Sequence, residues 1–173
     1  MSVTDVHKDT DALTMTITAE LAAPVARAWE LWSDPRQLER WWGPPTYPAT
    51  VVDHDLSPGG TVTYFMTGPE GDTHAGYWTV LAIDAPHHLE FEEGFADDAG
   101  VPNAAMPTTT MRVTFDEQPG GRTRMAIRTE FPSAEAMDQL LTMGMAEGMT
   151  AALSQIDEIL GADAVSPGTT TAD

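Results

Sequence analysis

Residues 133–160 read SAEAMDQLLTMGMAEGMTAALSQIDEIL, and this stretch predicts one long C-terminal helix of about 42 Å at 1.5 Å per residue. Ser133 is the expected N-cap and Gly161 the expected stop. Apolar residues recur every three or four positions, which gives the helix one broad apolar face. The rest of the chain must therefore supply a large apolar surface for this helix to lie across.

The small residues of this helix predict a shallow trough along its buried face, because Gly144, Gly148 and Ala152 recur at every fourth position. Such a trough admits either a closely packed strand or a ligand. Methionine suits both plain core packing and an adaptable pocket, and four methionines fall within a few turns: Met137, Met143, Met145 and Met149. Gln155, a polar residue near the middle of the apolar face, is expected either to face a pocket or to cap a strand carbonyl.

The segments before this helix alternate apolar and polar residues, as half-buried strands do. The predicted strands are residues 13–21, 49–57, 61–67, 74–84, 87–93, 108–116 and 122–131. Two short helices, residues 25–32 and 35–41, follow the first strand. Four of the five tryptophans lie in or beside them, which indicates a core cluster or a pocket wall: Trp29, Trp32, Trp41 and Trp42. The loop at 94–107 is long enough to be a lid.

Short turns between consecutive strands imply an antiparallel sheet, one face of which needs a cover. The terminal helix is the element long enough to provide it. The predicted fold is therefore α+β, a helix-grip arrangement in which a curved antiparallel sheet of about six or seven strands wraps around the C-terminal helix. Residues 1–12 are expected to be a mobile segment, residues 13–160 a single domain and residues 161–173 a disordered tail.

Charge and composition exclude several classes of function. The chain of 173 residues has 8 Lys and Arg against 27 Asp and Glu, a net charge of −19, and no cysteine. This charge argues against binding to nucleic acid or to an anionic membrane surface. The sequence also lacks an apolar run of membrane-spanning length, a secretion signal and any thiol chemistry. A cytoplasmic protein that does not bind membranes is expected.

Few residues suggest chemistry. None of the five histidines has a metal-binding spacing, so neither a metal site nor a cofactor is expected. His74 opens a strand that could face a cavity mouth, and His54 is a similar candidate base. Glu93 shares strand parity with Leu89 and Phe91, so it either points inward, where burial would raise its pKa, or lies at a rim. His74 and Glu93 are thus the two candidate catalytic residues.

Short motifs along the chain, in their order, resemble one known family. These are Ala23-Pro24-Val25 with Ala28-Trp29, Trp41-Trp42-Gly43-Pro44, Pro58-Gly59-Gly60 with Tyr64 and Met66, Gly68-Pro69-Glu70-Gly71, Asp84-Ala85-Pro86 with Leu89 and Phe91, residues 110–115, and Phe131-Pro132-Ser133 with Glu147-Gly148-Met149 and Leu153. The chain is similar to the START-like (SRPBCC) superfamily. Within it, the chain resembles the branch named after the C-terminal domain of the activator of heat-shock protein 90 ATPase.

The resemblance implies a hydrophobic cavity between sheet and helix, and it leaves three hypotheses. The protein binds a small hydrophobic or aromatic molecule, it acts on such a molecule as a cyclase or dehydratase does, or it is an interaction module related to the chaperone activators. A homodimer is compatible with each. The predicted ligand-binding residues are Trp32, Leu38, Trp41, Tyr64, Trp78, Phe91, Met111, Met137, Leu141, Gly144, Met145, Gly148 and Met149.

Overall fold

The computed structural model describes residues 3–169 and contains one antiparallel sheet with helices on one side of it. The strands are β1 (Val3–Asp9), β2 (Thr14–Leu21), β3 (Ala49–His54), β4 (Thr61–Thr67), β5 (Thr73–Asp84), β6 (His88–Ala96), β7 (Thr109–Gln118) and β8 (Arg122–Glu130). The helices are α1 (Val25–Ser33), α2 (Pro35–Leu38), α3 (Ala134–Thr142), α4 (Met145–Ser154) and α5 (Ile156–Thr169). The α+β helix-grip prediction is confirmed, with a sheet of eight strands in the order β1-β2-β8-β7-β6-β5-β4-β3.

Strand β1 is the additional strand, and it lies in the segment predicted to be mobile. It pairs antiparallel with β2, and in the tight connection Asp9 Oδ1 accepts hydrogen bonds from the backbone N–H groups of Asp11 and Ala12. Most of its side chains are exposed, so it shows no apolar alternation to detect. Backbone pairing rather than burial therefore places this strand at the edge of the sheet.

The long helix predicted for residues 133–160 is divided into α3, α4 and α5. Ser133 is the N-cap as predicted, and its hydroxyl accepts a hydrogen bond from Ala136 N at 3.0 Å. The first interruption falls at Gly144, whose φ of +95° ends the helical conformation. The second, at Gln155, is shallow because that residue keeps right-handed helical angles.

The predicted stop at Gly161 is wrong, since α5 continues to Thr169 and so covers much of the segment expected to be a disordered tail. Residues 170–173 of that tail lie outside the described residues. None of the helices in residues 3–169 combines the length and the apolarity needed to span a membrane.

Tryptophan side chains fill the space between the sheet and the helices. The ring of Trp32 on α1 lies 4.8 Å from that of Trp41 and 5.9 Å from that of Trp78, measured between centroids. Its indole Nε1 donates to Met125 Sδ on β8 at 3.3 Å. The tryptophans of the short helices are thus a core cluster, one of the two outcomes that the sequence left open, and they pack α1 and α2 against the sheet.

Gln155 joins the C-terminal helices to the loop after α2. Its Nε2 donates to the carbonyl oxygens of Gly43 at 2.7 Å and Trp41 at 3.2 Å. The expected carbonyl cap is therefore present, but the carbonyls belong to a loop rather than to a strand. This contact positions α4 and α5 beside the tryptophan core.

Candidate ligand-binding pocket

A pocket of about 200 Å³ enters the protein where β6 and β7 meet the break between α3 and α4. Its walls are mainly apolar, and one carboxyl group lies among them. The lining residues are Glu93, Gly94, Phe95, Pro107, Thr109, Leu140, Met143, Gly144 and Met145. Phe95 and Met143 are exposed at its entrance, so the pocket opens to solvent between two large apolar side chains.

The strand pattern of β6 directs Glu93 into this pocket. Leu89, Phe91 and Glu93 alternate with outward-facing residues, and the first two are fully buried. Strand β6 runs to Ala96, beyond the predicted end at residue 93, so Glu93 lies within the sheet. Its neighbours in register are Trp78 on β5 and Thr109 on β7.

The break at Gly144 forms the opposite wall. Gly144 N donates to Leu141 O at 3.1 Å, and α4 begins again with the hydrogen bond from Gly148 N to Gly144 O at 2.9 Å. A left-handed residue at this point interrupts the helical rows of side chains. Space therefore remains beside the sheet where a continuous helix would have placed another turn.

The Glu93 side chain is half-buried, and one of its carboxyl oxygens is enclosed in the protein. Its Oε2 has no hydrogen-bond partner among the described residues. Burial raises the pKa of Glu93 to about 8, and interaction with the Trp78 indole N–H opposes this increase in part. At neutral pH the carboxyl group is therefore mostly protonated, and it can donate a hydrogen bond as well as accept one.

Three more polar groups lie near this carboxyl group, and with it they form what we call the polar cluster: Glu93, Tyr64, Trp42 and Trp78. The indole Nε1 atoms of Trp42 and Trp78 are also buried without a hydrogen-bond partner in residues 3–169. Burial, and to a lesser extent the charge of Glu93, raise the pKa of Tyr64 well above its usual value, while the two indoles oppose this shift. The cluster thus gathers four polar side chains at the inner end of an otherwise apolar region.

Gly76 makes room for the Tyr64 side chain on the inner face of β5. A Cβ atom at position 76 would lie 2.4 Å from the Tyr64 hydroxyl oxygen, well inside van der Waals contact. The Tyr64 ring packs edge-on against Trp42, with 5.8 Å between centroids. A glycine in the strand therefore allows the tyrosine to lie along the sheet toward the polar cluster.

Only part of the predicted ligand-binding set lines the pocket. Gly144 and Met145 do so, together with the candidate catalytic residue Glu93. Seven others are buried in the core instead: Trp32, Leu38, Trp41, Trp78, Phe91, Met111 and Met137. Tyr64 belongs to the polar cluster, and Leu141 and Met149 pack half-buried against the core. A contact of these residues with a ligand stays a prediction.

The predicted glycine trough is absent in the expected form. Gly144 terminates a helix instead of lying within one, and a Cβ added at the half-buried Gly148 would meet no atom within 4 Å. No strand therefore packs closely against Gly148. Gly144 creates space because it ends a helix, and not because its lack of a side chain leaves a groove along a continuous helix.

The histidines lie away from the pocket. His74 is exposed, and its Nε2 lies 3.2 Å from Asp72 Oδ2. His54 Nε2 lies 3.0 Å from the carbonyl oxygen of Trp32, and His88 pairs with Glu90. The structure therefore does not bring the two candidate catalytic residues, His74 and Glu93, together. Within residues 3–169, no group of three or more His, Asp or Glu residues could hold a metal ion.

Sequence reasoning missed three residues of the pocket, Leu140, Met143 and Thr109, and one of the polar cluster, Trp42. Thr109 becomes a neighbour of Glu93 only through the register of β6 with β7. Leu140 lines the pocket, whereas the predicted Leu141 packs half-buried against the core. Trp42 belongs to the motif Trp41-Trp42-Gly43-Pro44, which the sequence does reveal. That its indole N–H lacks a hydrogen-bond partner among the described residues cannot be predicted from the sequence.

Two wider depressions, of about 430 and 450 Å³, lie elsewhere on the molecule. The first is on the outer side of the sheet, beside Phe65, Ala75 and the exposed Asp98. The second lies between β1 and α4. Both are open to solvent, and among their ionisable lining residues within the described chain only Tyr64, on the first, is buried. The smaller pocket beside Glu93 is therefore the candidate functional site.

A sheet that grips a layer of C-terminal helices, with an apolar pocket entering between the two, defines a START-like domain of the SRPBCC type. Residues 22–161 match the sequence profile of the Activator of Hsp90 ATPase homolog 1-like proteins. The chain belongs to this family. No curated protein matches the sequence.

Solved structures agree with this assignment. Protein Ms6760 from Mycobacterium smegmatis is 56% identical with a TM-score of 0.84, and the match covers 91% of this chain and 96% of that protein. A protein from Arthrobacter aurescens is 48% identical with a TM-score of 0.88, and the match covers 92% of both chains. DynU16, a protein of the dynemicin biosynthetic locus, shares the fold alone, at 17% identity and a TM-score of 0.60, over 86% of this chain and 47% of DynU16.

Proposed function

We propose that the protein binds a small, mainly apolar molecule in the pocket beside Glu93. The observation that carries this proposal is a carboxyl group at the inner wall of an otherwise apolar pocket, whose Oε2 atom is buried without a hydrogen-bond partner among the described residues. Pockets for small molecules typically combine apolar walls with a few polar groups that orient the ligand. The volume, about 200 Å³, is below the roughly 300–1,000 Å³ of drug-sized sites. A ligand with a single ring is therefore expected.

The position of Glu93 supports a functional role because it is unfavourable for stability. An unpartnered polar group in an apolar interior costs about 1–3 kcal/mol, and an apolar residue at this place in β6 would avoid that cost. Most buried polar groups in proteins have hydrogen-bond partners. A ligand that bonds to Glu93 would supply the partner that the fold itself leaves out.

An enzyme that acts on a similar ligand is the second candidate function. Its support is the pKa of Glu93, about 8, which suits a group that gives and takes a proton near neutral pH. Under this alternative, Glu93→Gln would abolish turnover and spare binding. His74 is exposed and distant from the pocket lining, so its replacement by Gln serves as the control.

An interaction module related to the activators of the Hsp90 ATPase is the third candidate. The family name and the tightly filled tryptophan core support it, because a closed interior is what such a module requires. The exposed side chains at the pocket entrance, Phe95 and Met143, would then contact a protein partner. A small-molecule binding experiment separates this alternative from the proposal.

The test is a titration of single-ring aromatic fragments into the ¹⁵N-labelled protein, followed by NMR, with two matched variants. Met145→Trp fills the pocket, whereas Met149→Trp adds the same side chain one turn away, outside the pocket lining. We expect fragments to shift amide signals of β6, β7 and α4 in the wild type and in Met149→Trp, but not in Met145→Trp. Equal binding to all three proteins, or no binding to the wild type, would overturn the proposal.

A further inference from the structure

We infer that the inner end of the pocket selects ligands that carry an uncharged oxygen acceptor, above all a carbonyl group, over apolar and ammonium-bearing analogues of the same shape. This inference rests on the proposed function and specifies the chemistry of its ligand. It follows from counting the hydrogen-bond donors and acceptors of the polar cluster.

The polar cluster has more donors than acceptors. An indole N–H can only donate a hydrogen bond, and the N–H groups of Trp42 and Trp78 are both buried without a partner in the described chain. A neutral Glu93 adds an O–H donor, and the Tyr64 hydroxyl is a further one. The acceptor atoms of the cluster are the two Glu93 oxygens and the Tyr64 hydroxyl oxygen, and the two indole N–H groups make no hydrogen bond to any of them. An oxygen atom of a ligand would give these donors an acceptor.

The donors lie close enough together to share one ligand group. Trp78 and Glu93 are directly opposite each other on β5 and β6. The ring of Trp42 lies edge-on to that of Trp78, with 4.9 Å between centroids. Glu93 is the member of the cluster that lines the pocket, and the buried Trp78 lies next to it on the neighbouring strand. A ligand oxygen would therefore bond to the Glu93 carboxyl group and approach the Trp78 N–H behind it.

An ammonium ligand is the competing possibility, because aromatic rings beside a carboxyl group can also hold a cation. The orientation of the indoles argues against it. Cations bind over the negative faces of aromatic rings, whereas the indole N–H edges of Trp42 and Trp78 lie near Tyr64, and that of Trp78 also near Glu93, without a hydrogen bond to either in the described chain. These edges carry positive partial charge and would repel an ammonium group.

Three probes of nearly identical shape test the inference: acetophenone, which has a carbonyl oxygen, α-methylstyrene, which has CH₂ in its place, and 1-phenylethylamine, which is an ammonium ion at pH 6.5. Affinities are measured by NMR titration at pH 6.5, with the tryptophan indole N–H signals as a direct readout. We expect acetophenone to bind at least tenfold more tightly than either analogue and to shift an indole N–H signal downfield.

Two variants check that Glu93 provides the selectivity. Glu93→Met removes the donor at similar volume and should bring acetophenone to the affinity of α-methylstyrene. Glu93→Gln keeps an N–H donor and should retain a preference for the ketone. If Glu93→Met does not fold, wild-type titrations at pH 6.5 and 9.5 replace it, because the carboxylate formed at the higher pH repels the carbonyl oxygen and removes the preference.

The outcomes separate the two proposals. Binding of none of the probes would overturn the proposed function and this inference together. Equal binding of acetophenone and α-methylstyrene would leave the binding function in place and overturn the inference. Tightest binding of 1-phenylethylamine would overturn it in favour of a cation site.

Discussion

Glu93 on β6 and Gly144 between α3 and α4 form facing walls of one pocket, although they lie in different layers of the fold. The glycine ends one helix and lets the next begin, and the gap that results lies beside the buried carboxyl group. Gly144 therefore opens the space that the carboxyl group of Glu93 faces. Each of these two residues leads to a prediction about stability.

Replacing Glu93 by Gln should make the protein more stable, by an amount that grows with pH. The folded-state pKa is about 8 against an ordinary value of 4.5, so the folded protein holds this proton more tightly than the unfolded chain. The wild type therefore loses up to about 1.4 kcal/mol of unfolding free energy per pH unit between pH 4.5 and 8, relative to the variant. Urea unfolding at pH 5, 6.5 and 8 measures the difference. Glu92→Gln, on the outer face of β6, is the control, and parallel pH curves for the wild type and Glu93→Gln would contradict the prediction.

Two glycine-to-alanine substitutions should have opposite signs. Neither Gly144 nor Gly148 has an atom within 4 Å of an added Cβ, but Gly144 has a φ of +95°. Gly144→Ala should lower the unfolding free energy by about 1–2 kcal/mol because L-residues are strained there. Gly148→Ala should raise it by about 0.5–1 kcal/mol, since alanine favours the helix. Urea unfolding of both variants decides the matter, and a stabilising Gly144→Ala would show that position 144 does not require glycine.

Replacing Asp163 by Asn should destabilise the protein at neutral pH and have less effect in acid. Its carboxylate accepts hydrogen bonds from Arg27 Nη2 at 2.5 Å and from Arg40 Nη1 at 3.0 Å. The hydrogen bond from Arg40 and the charges of both arginines lower the pKa of Asp163 below its ordinary value of 3.8. Its stabilising contribution is therefore complete above about pH 4 and is lost as the pH falls through the lowered value.

The size of this effect is limited because the Asp163 side chain is about one-third exposed. Solvent screens such pairs, and we expect a loss of about 1 kcal/mol at low salt and less at high salt. Thermal unfolding at pH 7 in low and high salt measures it. Glu158→Gln removes one charge from an exposed position of the same helix, so a loss no larger than in this control would contradict the prediction.

Those features of the fold that depend on apolar periodicity could be predicted from the sequence. The strands that bury alternate residues, such as β2 with Met15 and Ile17, and the amphipathic C-terminal segment carry that signal directly. Strand β1 carries none because its side chains face solvent. The break at Gly144 also escaped prediction, since the apolar stripe continues across it and a glycine at that position is compatible with an intact helix.

The candidate site was predictable only in part, for a related reason. Strand parity did place Glu93 on the inner face. Whether its carboxyl group finds a hydrogen-bond partner, however, depends on the residues beside it on the neighbouring strands, which are Trp78 and Thr109. The predicted wall residues are apolar and inward-facing, which sequence can indicate. Whether such residues enclose a space or fill it depends on packing across the whole core, and here Trp32 and its neighbours fill it.

The packing of the tryptophans has an optical consequence. Trp41, Trp42 and Trp78 surround Trp32 at centroid distances of 4.8 to 5.9 Å. Over such distances excitation passes rapidly from one indole to another, so that fluorescence and near-ultraviolet circular dichroism come from the group as a whole. Because Trp78 adjoins Glu93, we expect the loss of the Glu93 proton to perturb that collective signal. The protonation state of Glu93 should therefore be measurable from tryptophan fluorescence without an added label.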